Sequence, residues 1–194
     1  MAKFDSFSLL PRALQKEALR EGEMLLGAQL AIATAADQRA LSWAALLIGG
    51  ATGALGGGIA LLTQSRPDPL LAILAILFAA ALLAACHLAI DTISPTLFCV
   101  PGNRPSNWLP EEWDPGDDDV AAIAKARAQQ AEQIDEFIKR NDAVATANGA
   151  KMRRSIGIAF WAVVVAAAAL FAILVSRHYT IREPISEIVR TDAH

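Results

Sequence analysis

Aromatic residues make up only 6% of this chain and charged residues only 19%. The first shortage excludes a core built from large rings. The second excludes an ordinary water-facing surface over the whole length, because soluble domains carry about a quarter of charged residues. Cysteine occurs twice, at Cys86 and Cys99, with neither CxxC nor Cys/His spacing, so the thiols are read as inert and no metal site is expected. The three histidines, His87, His178 and His194, come with no nucleophile–base pair, ligand array or cofactor fingerprint, and the chain is therefore read as a non-enzyme. Met1–Arg20 lacks an apolar stretch followed by a small-residue cleavage site, so no secretory signal is read there. The basic residues flank apolar runs or alternate with acids, which argues against nucleic acid as a partner.

What the chain has is apolar bulk: 54% hydrophobic residues and a mean hydropathy of +0.36. Residues 41–63, 70–90 and 155–176 are free of charge, and a helix of such length covers the roughly 30 Å hydrocarbon layer of a bilayer. The expected fold class is all-α, an integral membrane protein with three transmembrane helices and long cytoplasmic helices. Between the first two spans, residues 64–69 read Gln-Ser-Arg-Pro-Asp-Pro, and the two prolines predict a helix stop, a tight external turn and a new start.

Lys and Arg set the orientation, since short cytoplasmic segments retain positive charge. Thirteen lie in residues 1–40 and 91–154, against four in the turn and in residues 177–194. This places the N-terminus and residues 91–154 in the cytoplasm and the C-terminal tail on the far side of the membrane.

Residues 12–39 contain no proline and predict one long helix running almost directly into the first span. Its apolar residues, among them Leu14, Met24, Leu25, Leu26 and Ile32, form no tight stripe and predict burial on several neighbours. Residues 95–115, rich in proline and containing Trp108 and Trp113, suit the headgroup surface or a binding loop. Glu111–Asp119 carries six acids and no base, and its last three open a helix extending to Arg154. Acids there suit the positive end of the helix dipole; the alternative, a cation site, lacks EF-hand spacing. Asn141 and Asn148 lie one heptad apart on an apolar face, where they either fix register or oligomeric state or serve only water and their own backbone.

Within the first span, Gly49, Gly53 and Gly57 recur at four-residue intervals. In lipid, such small residues let helices approach closely. The row suits packing against the other two spans of the same chain, or packing between chains in a homo-oligomer. Gly53–Gly58 lacks the Gly-Lys-Ser/Thr that a phosphate loop requires. His87 stands inside the second apolar run, four residues before Asp91 and on the same face, so a hydrogen bond between them is the expected way to accommodate a polar group at that depth, with proton relay or gating as the alternative.

Taken with the order of parts, the element Ala36-Asp37-Gln38-Arg39-Ala40 before the first span, and Asn148 and Lys151 before the last, resembles the small transmembrane effectors of bacterial nucleotide-signalling defence, the Pycsar effectors and their SLATT-type relatives. The resemblance covers residues 12–176. Arg39 stands where that family commonly has lysine, and residues 95–115 have no counterpart in its pattern. It implies an effector that answers a cyclic pyrimidine nucleotide, cCMP or cUMP, made by a partner cyclase during phage infection. It also implies self-assembly and impairment of the inner membrane, with Asp37 and Arg39 as a nucleotide-sensing or gating pair and no other cofactor. The competing expectation is a non-catalytic accessory or assembly subunit of a larger membrane complex. A transporter is the weaker third, because three spans without an internal repeat provide little from which to build a pathway.

Overall fold

The computed structural model describes residues 7, 9–93, 98–102 and 119–191, with the side chains of 119 and 180–191 excepted. The tryptophan-containing loop, the acidic run and the side chains of the C-terminal tail lie outside the described residues. Among the described residues the fold is all-helical: α1 is Arg12–Thr63, α2 is Pro69–Asp91 and α3 is Asp119–Thr191. All three are long and apolar enough to cross a membrane. The expected arm of residues 12–39 and the first span form one uninterrupted helix, since no proline or cap interrupts them.

Two compact units divide the chain, and α1 and α3 contribute to both. The first comprises Met1–Arg39 and Ile93–Gly149; the second comprises Ala40–Thr92 and Ala150–His194. The divisions fall within a few residues of the ends of the charge-free runs.

In the second unit the turn closes as its residues dictate. Asp68 N–H donates to the Leu61 carbonyl oxygen at 3.0 Å, and the Asp68 carboxylate accepts from Leu71 N–H at 3.3 Å, capping α2. Pro69 occupies the first helical turn, where its missing N–H costs nothing. The core of this unit is made chiefly of alanine: Ala44 and Ala51 of α1, Ala79, Ala85 and Ala89 of α2, and Ala159 of α3, with Leu47, Leu82 and Cys86. Small side chains allow close backbone approach, which is what the shortage of aromatics demands. The large apolar side chains point the other way. Leu46 is 69% exposed and Phe171 70%, the reverse of a water-soluble arrangement.

In the first unit, Leu26 of α1 is buried, as are Ala126, Ala128, Ala131 and Ile134 of α3. The expected burial of the arm's apolar residues on several neighbours holds for Leu26 and in part for Leu19 and Leu30, but not for the others. Leu14, Met24, Leu25 and Ile32 are exposed, because residues scattered around a helix cannot all face its neighbours.

Candidate functional site

The glycines of α1 separate into two groups. A Cβ added at Gly50 would meet the Leu82 side chain at 3.1 Å, and one at Gly58 would meet the Ala72 carbonyl oxygen and the Ile76 side chain, both at 3.3 Å. These two glycines admit α2. At Gly49, Gly53, Gly56 and Gly57 an added Cβ meets nothing within 4 Å. With about 100° of turn per residue, Gly56 returns to within about 20° of Gly49, whereas Gly57 sits about 80° away. The open face is therefore centred on Gly49, Gly53 and Gly56, with Gly57 at its margin. Ala45, Thr52 and Ala60 share that face and are exposed. The Thr52 hydroxyl donates to its own helix at Ile48 O, so no large or unsatisfied side-chain polar group interrupts the face.

At the opposite end of the second unit from the turn, a hydroxyl gathers all three helices. Ser155 Oγ, fully buried on α3, donates to the Ala85 carbonyl oxygen of α2 at 2.7 Å and accepts Trp43 Nε1–H from α1 at 3.0 Å. One turn further, Lys151 Nζ pairs with the Asp91 carboxylate at 2.8 Å. The expected His87–Asp91 hydrogen bond is not what this arrangement provides. The longer lysine side chain takes the carboxylate, while His87 is exposed and makes no hydrogen bond among the described residues. Near the turn, Arg177 of α3 pairs with Asp68.

Asp37 and Arg39 belong to the first unit and do not pair, since residues two apart on a helix point in different directions. Arg39 is exposed, and its Nε donates to the Ala35 carbonyl oxygen at 3.2 Å. Asp37 is half-buried and has no partner among the described residues.

Asn141 is resolved in a way its spacing did not specify. Its side chain is 1% exposed and clasps a peptide: Oδ1 accepts from Cys99 N–H and Nδ2 donates to Cys99 O, both at 3.0 Å. Nδ2 also donates to Gln29 Oε1 at 3.3 Å, and Gln29 Nε2 reaches Asp142 at 2.8 Å. The asparagine holds the segment after α2 between two helices of its own unit. Asn148 is half-buried and hydrogen-bonded.

Sequence reasoning missed Trp43, Ser155, Gln29 and the Lys151 partnership. A hydroxyl heading an apolar run, opposite the one indole of the first span, was the available signal. Among the described residues no three His, Cys, Asp or Glu side chains converge as a metal site. No protein-family model, curated protein or solved structure matches this chain.

Proposed function

We propose that this chain is a membrane-acting effector that self-assembles through the glycine face of α1 under control of its first unit. The observation supporting this reading is the open space at Gly49, Gly53 and Gly56, set beside the filled space at Gly50 and Gly58. A helix already packed on one side retains, on the other, a second small-residue face free to receive a helix. In lipid, where apolar burial gives no drive for association, close packing is what joins helices.

In this reading the first unit lies in the cytoplasm and binds a cyclic pyrimidine nucleotide, cCMP or cUMP. Asp37 has a carboxylate without a partner among the described residues to accept from a base or ribose hydroxyl, and the exposed Arg39 guanidinium suits a phosphate. Binding there alters α1, which continues without a break into the proposed span, and assembled chains then impair the inner membrane.

The test is expression of the full chain with and without cCMP or cUMP while membrane potential is followed. Nucleotide-dependent collapse is expected; an unchanged potential rejects the effector reading. Gly53→Leu should abolish both toxicity and assembly. A chain that assembles only with a different protein, with no nucleotide response, would instead be an accessory subunit.

A further inference from the structure

A second feature of the second unit has no part in that assembly. Between α2 and α3 runs a groove of about 700 Å³, walled by Leu74, Phe78 and Leu88 on one side and Gly157 and Trp161 on the other, with Arg154 at one end. Its volume falls within the range of about 300–1,000 Å³ typical of small-molecule sites. The lining on α3 runs from Arg154 to Ala166, about 18 Å of helix at 1.5 Å per residue. One leaflet of hydrocarbon is about 15 Å deep, half of the roughly 30 Å layer.

Apart from the arginine, every lining side chain is apolar. Arg154 is exposed and makes no hydrogen bond or ion pair among the described residues. Its neighbour Lys151 already holds Asp91, so the local acid is neutralised and the guanidinium remains an uncompensated positive charge at the groove's mouth. The groove thus offers an apolar trough one leaflet deep, ending in a cation suited to a phosphate diester. A second copy of this chain would meet the trough with an apolar helix but would leave the arginine without an anion.

We infer that this groove is a binding site for an anionic phospholipid of the cytoplasmic leaflet, with an acyl chain against Phe78, Gly157 and Trp161 and its headgroup phosphate on Arg154. The inference rests on the membrane-spanning reading of the three helices and on their orientation, but not on nucleotide gating or on the glycine face.

The experiment is native mass spectrometry of the full chain in mild detergent with phosphatidylglycerol or phosphatidylcholine of identical acyl chains. We expect one retained lipid, with phosphatidylglycerol preferred by about tenfold, because in phosphatidylcholine the choline ammonium already neutralises the phosphate charge that Arg154 would meet. Arg154→Gln should bring phosphatidylglycerol down to the phosphatidylcholine level. Gly157→Phe, at a position where an added Cβ meets nothing within 4 Å, fills the trough and should reduce both lipids. Val163→Ala, on α3 but outside the groove lining, should bind as the unsubstituted chain does, and provides the folded control. Equal retention of both lipids, retention unchanged by Arg154→Gln, or a dimer with no bound lipid would overturn the proposal. None of these readouts involves nucleotide, so their failure is distinct from failure of the effector reading.

Discussion

Trp43 and Ser155, 112 positions apart, meet through an indole N–H donated to a hydroxyl at 3.0 Å. Because the same hydroxyl donates to Ala85 O, one small side chain satisfies two groups from two other helices. Alanine leaves the Trp43 indole N–H without this acceptor and removes the extra bond to Ala85 O, which keeps only the bond of its own helix, and a larger side chain has no room at a fully buried position.

Ser155→Ala should therefore destabilise the second unit by about 0.5–2 kcal/mol, the range for interhelical hydrogen bonds among apolar helices. Thermal unfolding in detergent, followed by far-ultraviolet circular dichroism, provides the measurement. Ser155→Leu should cost more, through overpacking.

Asn141→Ala removes the clasp on Cys99 and leaves a peptide N–H and C=O to find other partners. Opening of that segment should become easier by about 1–3 kcal/mol. Alkylation of the half-buried Cys99 thiol should then accelerate by about tenfold or more, while that of Cys86, buried in the other unit, stays unchanged. Equal acceleration at both thiols would indicate general unfolding instead.

Gly58→Leu and Gly53→Leu should part company. At Gly58 the new side chain drives into the Ala72 backbone and Ile76, so the α1–α2 hairpin should lose about 1–3 kcal/mol, read as a lower melting temperature. At Gly53 the melting temperature of the solubilised monomer should hold, and the change should appear in assembly.

The Asp68–Arg177 pair gives the molecule a response to acid. Arg177 beside Asp68 holds its carboxyl below the ordinary value of 3.8, with the Leu71 N–H acting in the same direction. A carboxyl held low in the folded state adds stability above its unfolded value and loses it as pH falls through the folded one. Arg177→Gln should thus melt below the unsubstituted chain at neutral pH, and the gap should narrow only below pH 3.8. A gap that stays constant into acid would assign the effect to packing of the arginine stem.

Much of the architecture was local information. Charge-free runs of fixed length, the Pro67-Asp68-Pro69 turn and the absence of proline between residues 12 and 63 each depend on neighbours in sequence, and α1, the turn and α2 follow from them. The glycines of the first span were visible in the same way, and so were Asn141 and the charged residues at the span ends.

What the tertiary structure decided is rotation and partnership. Spacing placed Gly49, Gly53 and Gly57 in one row, but only the position of α2 shows that Gly50 and Gly58 are filled while Gly49, Gly53, Gly56 and Gly57 stay open. Sequence put His87 beside Asp91; a lysine 60 positions later took the carboxylate, because it approaches from another helix. Periodicity along one helix fixes which residues share its faces. Which face meets which neighbour depends on contacts between segments far apart in the chain, and those arise only when the helices pack.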